Sequence, residues 1–416
     1  KDTHIEGTSK RAREREEQRQ VGSDGNRVCD MTVNSYTRLI TKRHILGLVP
    51  FAFIVAFFVT CVITYPELIP HSKPFHLEHL PYCDRKFVPQ TTEGNHTIVM
   101  WTRNVQVGGP SVNITPSGEC EFQNCIFTAD RDDVNSSSAI VFYDADLDID
   151  DLPPRLPHQR WVLFSQEAPT TSRLSSDFDG MFNWTMSYSP KDDVYVPFFE
   201  MCRDGQRPLE QNFSSKEFAA VWFVDNCYPE NLAYVNQLQL EFPVHIVGPC
   251  SPQGFYCTER HRCMDQLLPL YKFALVFEDA LCTDFVTRRL QEILRYNVIP
   301  VVWGGAQYSA ILPKESFVVA SEYNKPKELA RMLYRFRKDE LFRKAINVRR
   351  GVRAASVDWT CRLCGALNRR KHESSGHAHR TLAADRLKAG RCRVWKRGFF
   401  RTYRPSAGVL KGLHKE

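Results

Sequence analysis

The chain has 416 residues, enough for a membrane anchor followed by about two folded domains. Its formal net charge is +7, but Arg369 to Glu416 contain 14 Lys/Arg against 3 Asp/Glu, a surplus of 11 that leaves −4 for the first 368 residues. A nucleic-acid-binding protein would carry its basic residues on the folded body, so this distribution argues against that class.

The amino-terminal part predicts a membrane anchor. Residues 1–44 are polar and charge-mixed, which is typical of a disordered tail. Ile45 to Tyr65 form 21 uncharged residues, which as a helix would cross the roughly 30 Å hydrocarbon core of a bilayer. A cleaved signal peptide is the alternative, but the apolar run is too long and too far from residue 1. Because the preceding flank is the more basic one, we expect a type II signal anchor with a cytosolic tail, followed by a lumenal stem at residues 66–94.

Sequons and cysteines also indicate a lumenal body. Of the 14 cysteines, 12 follow Tyr65, which suits an oxidising compartment and structural disulfides. Asn-x-Ser/Thr tripeptides occur after the anchor. The one at Asn183 lies within a packed aromatic segment, so we expect glycosylation at the others: Asn95, Asn113, Asn135 and Asn212.

An acidic run follows a buried strand in the first predicted domain, residues 95–215. The strand Ala139 to Tyr143 precedes Asp144 and Asp146, a D-x-D pattern whose carboxylates could hold Mn²⁺ or Mg²⁺. The acidic run continues as far as Asp151, which favours a solvated loop instead. We therefore predict no metal site.

Two further segments of this domain contain candidate site residues. Glu167 comes just after the apolar strand Trp161 to Phe164, at the edge where ligands meet open α/β sheets. The segment Phe182 to Tyr188 is aromatic, and the rings of Trp184 and Tyr188 could stack on sugar faces. Ordinary core packing is the alternative, and it is favoured for Trp184.

The second predicted domain, residues 216–368, contains a strand, a helix and another strand between Tyr271 and Gly305. A polar break before the helix offers Thr283 or Asp284 as its N-cap. We expect the helix itself to run from Phe285 to Tyr296.

Two arginines, Arg288 and Arg289, are expected in or near the first turn of this helix. Cations at that end oppose the helix dipole and are unfavourable without an anion nearby. A diphosphate would supply the anion. The alternative interpretation is two solvated arginines on an exposed helix face.

This segment resembles the donor-binding signature of the α1,3-fucosyltransferases. The matching residues are Phe277, Glu278, Asp284, Phe285, Val286, Thr287, Pro300, Val301, Val302, Gly304 and Gly305. The resemblance extends over residues 120–364, and Phe182 to Tyr188 is similar to an acceptor-side segment of the family. The sequence departs from the family at three places. Asp279-Ala280 replaces Asn-Ser, Arg288-Arg289 replaces Glu-Lys, and no arginine precedes Tyr-Val in the stretch that begins at Asn231.

The resemblance implies a GT-B fold, in which two Rossmann-like domains face one another across a cleft. It implies a Golgi enzyme that transfers L-fucose from GDP-fucose to an N-acetylglucosamine of a glycoprotein glycan, with inversion and with no cofactor besides the donor substrate. Glu167 would be the general base, because inverting transfer needs a group that takes the proton of the attacking hydroxyl. The alternative for Glu167 is a purely structural or acceptor-orienting role. Trp184 and Tyr188 would lie on the acceptor side. The donor site would comprise Glu278, Asp284, Thr287, Arg288, Arg289, Gly304 and Gly305.

Two features remain from the sequence. The late Cys361-x-x-Cys364 pair could bind zinc or form a redox dithiol. The resemblance implies instead that this pair is bonded to Cys120 and Cys125. Residues 369–416 lie beyond the resemblance and are predicted to be a basic, disordered tail.

The departures from the family leave two alternatives open. One is a catalytically weak or inactive lumenal homologue that acts as a glycan-binding protein. The other is an enzyme of the same fold that uses a different nucleotide sugar.

Overall fold

The structure is a computed structural model that describes residues 90, 94–102, 115–116, 120–203, 216–369, 378–396 and 398–403. The predicted cytosolic tail, the membrane span and nearly all of the stem lie outside these residues, as do Asn113 and Asn212. No helix within the described ranges is long and apolar enough to cross a membrane.

The first half of the described chain forms a six-stranded parallel sheet. Its strand order is β2-β1-β3-β4-β5-β6. The central strands are buried on both faces, as their continuous apolar sequences predict. The strands are β1 His96–Met100, β2 Cys125–Thr128, β3 Ala139–Tyr143, β4 Arg160–Ser165, β5 Trp184–Ser187 and β6 Val194–Tyr195.

The second half forms a five-stranded parallel sheet in the order β12-β11-β10-β8-β9. Its strands are β8 Phe218–Phe223, β9 Val244–Val247, β10 Tyr271–Phe277, β11 Ile299–Trp303 and β12 Val318–Val319. The helices of this half are α1 Pro229–Gln239, α2 Arg260–Leu267, α3 Arg288–Ile293, α4 Pro326–Phe336 and α5 Asp339–Asn347. Two parallel sheets with intervening helices confirm the predicted α/β class.

After the second sheet the chain returns to the first. Strand β13, Val352–Ser356, pairs antiparallel with β7, Phe199–Arg203. Helix α6, Trp359–Arg369, then packs its apolar face into the core of the first sheet. Disulfides Cys120–Cys361 and Cys125–Cys364 fasten it there, within the group of four cysteines that the family resemblance implies. The last part of the predicted second domain therefore belongs to the first core.

The carboxyl-terminal residues are folded where the structure describes them. They form helix α7, Leu382–Gly390, and a hairpin of β14, Arg393–Lys396, and β15, Phe399–Thr402. The predicted disorder is therefore wrong for this part of the tail. Although this segment is basic, some of its apolar side chains pack in the hydrophobic cores, among them Leu382 and Trp395.

Disulfides also fasten the second half. Cys282 is bonded to Cys392 of the carboxyl-terminal segment. Two further bonds, Cys227–Cys250 and Cys257–Cys263, hold the loops that follow β8 and β9. These bonds agree with the structural disulfides that the cysteine content predicts. Disulfides of this kind persist in oxidising compartments.

Candidate active site

The carboxyl-terminal edges of the two sheets share one buried cluster. Ala168 and Tyr188 follow β4 and β5 of the first sheet, and Ala280 and Phe285 follow β10 of the second. The rings of Tyr188 and Phe285 meet edge to face, with centroids 5.1 Å apart. Ligands of open α/β sheets bind beyond such edges, so the candidate site lies beside this cluster.

Glu167 lies on the first-sheet side of the site and is half-buried. The hydroxyl of Thr171 donates a long hydrogen bond of 3.4 Å to its carboxylate. Burial raises the pKa of Glu167, and the nearby charges of Asp144 and Asp279 raise it further. Asp279 belongs to the second half, so the electrostatic coupling places Glu167 opposite the end of β10.

Tyr143, the last residue of β3, was not identified from the sequence. Burial raises the pKa of its phenol to about 12, with further contributions from Glu167 and the acidic residues after β3, while Arg288 acts in the opposite direction. The field of Arg288 therefore reaches across from the second half to the first. The signal that could have pointed to Tyr143 is its position at the carboxyl end of a buried strand.

The interpretation of the acidic run as a solvated loop is wrong for its first residue, Asp144. Its side chain is 0% exposed. It accepts hydrogen bonds from the hydroxyls of Ser165, at 2.5 Å, and Ser172, at 2.8 Å. The backbone N–H of Arg173 donates a third, at 3.1 Å. A buried carboxylate needs such partners, and Asp144 thereby fixes the loop that carries Glu167.

Glu278 lies at the end of β10 and is 1% exposed. Its Oε1 accepts a 2.9 Å hydrogen bond from the backbone N–H of Thr287. Its backbone carbonyl accepts one of 3.0 Å from the amide of Asn231, the residue at the start of the stretch that lacks the family arginine. Burial raises the pKa of Glu278 to about 7, although the Thr287 hydrogen bond and the charge of Arg289 oppose the shift. The side chain thus closes the donor-signature loop and is not exposed to a ligand.

The helix after this loop is shorter than predicted. Helix α3 has 6 residues and begins at Arg288, with Thr287 as its N-cap. The Thr287 hydroxyl accepts a 3.3 Å hydrogen bond from the N–H of Arg289. The predicted caps at Thr283 and Asp284 are wrong, because Cys282 and Phe285 are drawn into the buried cluster and Asp284 has a φ of 62°. The N-terminus of the helix therefore lies at Thr287 and Arg288, and not near Asp284 as predicted.

Arg289 is held by carboxylates. Its Nη2 donates to Asp279 at 3.0 Å, and Nη1 lies 2.8 Å from the other oxygen of the same carboxylate. Oxygens of Glu278 and Asp225 are each 3.8 Å away. Burial lowers the pKa of Arg289, but these acidic partners, led by Asp279, raise it above its ordinary value. Arg260 pairs with Asp225 at 2.6 Å and adds a second guanidinium that sequence inspection missed.

Arg288 differs from its neighbour. Its side chain is exposed. Within the part of the chain that the structure describes, no carboxylate lies within ion-pair distance of it. It is therefore the cation of this pair that remains available to an anionic ligand.

Gly304 and Gly305, which follow β11, allow close packing. A Cβ on Gly305 would lie 2.6 Å from the backbone carbonyl carbon of Cys282, and one on Gly304 would collide with the hydroxyl of Tyr308. Real Cβ atoms do not approach backbone so closely, so Gly305 must be glycine, whereas a Cβ at Gly304 would require the side chain of Tyr308 to shift. The backbone at Gly305 thus packs directly against Leu281 and Cys282 of the donor-signature loop.

The two acceptor-side aromatics have different environments. Trp184 is buried in the first core with Arg160 stacked on it at 4.8 Å, so the prediction that it faces an acceptor is wrong. Core packing, the favoured alternative, applies. Tyr188, which is itself buried, and Asp284 both line a pocket formed by residues of the two halves, and Asp284 is not among the carboxylates within ion-pair distance of Arg289.

The sequons also divide by environment. Asn95 and Asn135 are exposed, as glycosylation requires. The Asn183 side chain is buried, and its oxygen accepts hydrogen bonds from the Trp161 backbone at 2.8 Å and from Arg155 at 3.0 Å. The expectation that the Asn183 sequon is unused agrees with this burial.

Comparison with known proteins identifies the family. The family model described as "Fucosyltransferase, N-terminal" matches residues 93–199. The model described as "Glycosyltransferase family 10 (fucosyltransferase) C-term" matches residues 213–383. The human 4-galactosyl-N-acetylglucosaminide 3-alpha-L-fucosyltransferase FUT5 is 30% identical over 305 residues, covering 69% of this chain and 79% of that protein. The 3-galactosyl-N-acetylglucosaminide 4-alpha-L-fucosyltransferase FUT3 of Bos taurus is 30% identical over 256 residues, covering 58% and 69%.

Among solved structures, a crystal structure of an alpha1,3-fucosyltransferase is similar with a TM-score of 0.49 and 12% identity, over 70% of this chain and 94% of that one. The two family matches and the human relative are sufficient for assignment. The chain belongs to glycosyltransferase family 10, the fucosyltransferases, and is an enzyme of that family.

Proposed function

We propose that the protein is an inverting α1,3-fucosyltransferase that moves L-fucose from GDP-fucose to an N-acetylglucosamine of a glycoprotein glycan. The observation that carries the proposal is electrostatic coupling between the two sheet edges: the charge of Asp279 raises the pKa of Glu167, and Glu167 and Arg288 shift the pKa of Tyr143 in opposite directions. A base and a cation on opposite sides of one site are what a direct displacement needs. The two sheets would then correspond to the facing domains of a GT-B enzyme.

In the proposed reaction the carboxylate of Glu167 takes the proton of the acceptor hydroxyl as its oxygen attacks the anomeric carbon of fucose. The bond from that carbon to the β-phosphate oxygen breaks, and GDP departs with the electron pair. Attack opposite to the leaving group inverts the anomeric centre without a covalent enzyme intermediate. Partial burial raises the pKa of Glu167, which increases the proton affinity of the base.

Arg288 is the group we assign to the diphosphate, because its side chain is exposed at the start of α3. A guanidinium can pair with phosphate oxygens in a bidentate manner and stabilise the charge that develops on GDP. Arg289 contributes a fixed positive charge behind it, oriented by Asp279. Glu278, Thr287, Gly304 and Gly305 hold the loop in shape. The reaction uses GDP-fucose as its substrate and no separate cofactor.

The proposed location is the Golgi membrane, with a single type II anchor and a lumenal catalytic part. The disulfides and the exposed sequons at Asn95 and Asn135 support a lumenal environment. Protease protection of the intact membrane-bound protein, with glycosidase sensitivity as a second readout, tests this orientation.

One observation favours a second candidate function. The carboxylates of Asp225 and Asp279 lie beside Arg289, and their negative charge disfavours a diphosphate. The alternative is accordingly a glycan-binding homologue with weak or no transfer.

Calorimetric titration of GDP-fucose into a secreted form beginning at Pro66 separates the two candidates. GDP-mannose tests sugar selectivity, and Arg295→Ala, which removes an exposed arginine just beyond the other end of α3, is the matched control for Arg288→Ala. We expect GDP-fucose to bind, Arg288→Ala to weaken it about 10- to 100-fold, and Arg295→Ala to leave it unchanged. Binding of neither nucleotide sugar to a folded, disulfide-intact protein would contradict the transferase proposal.

A further inference from the structure

The carboxyl-terminal segment, residues 378–396 and 398–403, reaches both halves of the molecule. On the first half, His379 exchanges backbone hydrogen bonds with Phe182, at 3.0 Å, and Gly180, at 2.8 Å. Its ring also lies 3.0 Å from the carboxylate of Asp193. These contacts fall on the aromatic segment that the sequence associates with the acceptor.

The same segment is then fixed to the second half. The N–H of Thr283 donates to the carbonyl of Gly390 at 2.7 Å, and the N–H of Arg393 donates to the carbonyl of Leu281 at 3.0 Å. The disulfide from Cys392 joins the loop between these two bonds. The family match ends at residue 383, so most of this segment lies beyond the matched region.

A pocket lies where the segment crosses between the two halves. It is a small, partly open cleft, and the space between its walls is about 370 Å³ only when the open solvent at its mouth is included. Its walls come from Pro169, two residues after Glu167, from the region of Tyr188 to Asp192, from Asp284 and from Arg386 of α7. One wall of the pocket is therefore formed by the loop that carries the proposed base, two residues beyond Glu167.

Arg386 is held firmly in this wall. Its side chain is 10% exposed. Nη2 donates a 2.9 Å hydrogen bond to the hydroxyl of Ser165, which in turn donates to the buried Asp144. Nη1 lies 3.4 Å from Asp192. A guanidinium fixed in this way offers donors of defined direction at low entropic cost on binding.

The charges of the pocket indicate the chemistry of its ligand. Lys191 and Arg386 supply two positive charges, and Asp192 and Asp284 supply two carboxylates. Balanced charge gives no preference for an anion or a cation. Paired donors and acceptors around a small space instead suit the hydroxyls of a neutral sugar ring.

We propose that this pocket binds a neutral sugar of the acceptor glycan, and that Arg386 is a specificity-determining residue that contacts it. The proposal rests on the proposed function, since the acceptor must lie beside Glu167. It extends that function by assigning part of acceptor recognition to a segment beyond the family match.

The test compares Arg386→Ala and Arg386→Lys with Lys388→Ala, which removes an exposed charge two residues along the same helix. Initial rates are measured with varied 4-galactosyl-N-acetylglucosaminide acceptor at saturating GDP-fucose, and then with varied donor. We expect Arg386→Ala to raise the acceptor KM about 10- to 100-fold, with the donor KM and the acceptor-free hydrolysis of GDP-fucose unchanged. Arg386→Lys should recover part of the loss, and Lys388→Ala should match the wild type.

A purely structural role would have another signature. Equal rises in the donor and acceptor KM, a lower unfolding temperature with no split between them, or an unchanged acceptor KM in Arg386→Ala would each overturn the proposal. Saturation-transfer NMR with the same disaccharide keeps the two proposals distinguishable. Acceptor binding that depends on Arg386 in a protein without transfer activity would reject the proposed function alone, while absence of Arg386-dependent binding in an active enzyme would reject this inference alone.

Discussion

Two glutamates at the ends of parallel strands show how environment separates residues that the sequence presents alike. Glu167 follows β4 and Glu278 follows β10, each at the carboxyl edge of its sheet. Glu167 is half-buried with one long hydrogen bond, whereas Glu278 is enclosed and bonded to Thr287. Position at a strand end brings a carboxylate near the site. Its exposure and its hydrogen-bond partners then decide whether it can act in catalysis or only supports the structure.

Removal of the half-buried Glu167 carboxylate should have the largest effect. Glu167→Gln preserves shape but cannot accept a proton, so we expect kcat to fall about 10²- to 10⁴-fold. Binding of GDP-fucose and the unfolding temperature should stay unchanged, because the side chain has few structural contacts. Glu259→Gln, at an exposed surface position, is the control for an isosteric loss of charge. Full activity in Glu167→Gln would remove Glu167 from the role of base.

Substitution of the enclosed residue, Glu278, should lower the stability of the folded protein. Glu278→Ala leaves the N–H of Thr287 without its acceptor, and we expect a loss of about 1–3 kcal/mol in the free energy of unfolding. Glu278→Gln retains the acceptor oxygen and should lose much less. Denaturant unfolding of both variants measures the difference. Equal losses would show that the charge, and not the hydrogen bond, matters here.

The pH dependence of stability provides a second distinction. The folded-state pKa of Glu278 is raised to about 7 from an ordinary value of 4.5. The stability gained from its protonated form is therefore complete below pH 4.5 and is lost as the pH rises through about 7. Glu278→Gln should lack this component, so its unfolding free energy should fall less than that of the wild type over the same interval. Parallel curves for the two proteins would contradict the assignment.

Asp279→Asn should have the smallest effect, and it should change the surroundings of both Glu167 and Arg289. It removes a negative charge that raises the pKa of Glu167 and that holds Arg289. We expect GDP-fucose to bind about two- to fivefold more tightly, in keeping with a partly exposed charge pair. The acid limb of kcat/KM should move to lower pH, because the Glu167 carboxylate then persists to lower pH. Weaker donor binding would indicate that Asp279 orients Arg289 for the diphosphate.

Much of the fold was predictable because buried parallel strands are continuous apolar runs. The strands Ala139–Tyr143 and Ile299–Trp303 are recognisable in this way. The helix start at Arg288 was not, since Phe285 packs across the site against Tyr188 and a contact with a distant residue overrides local capping signals. The same reason applies to Asp144, whose burial depends on Ser172 further along the chain.

The site was less predictable than the fold. Sequence position suggested Glu167 and Arg288 as candidates, and the structure places both at element ends next to the facing edges. It could not assign Arg386, because a basic segment beyond the family match gives no periodic signal and is fixed only by a disulfide and scattered buried residues. Nor could it reveal that Asp279 neutralises Arg289, since that pairing depends on how the loop folds back on itself.

Product analysis tests the central claim most directly. The secreted protein is incubated with GDP-fucose and the 4-galactosyl-N-acetylglucosaminide acceptor, and the product is examined by NMR for linkage and anomeric configuration. Our account predicts fucose joined to O3 of N-acetylglucosamine in the α configuration, inverted relative to the donor, and lost in Glu167→Gln. A retained configuration, or tight binding of GDP-fucose with no transfer from a folded protein, would contradict it.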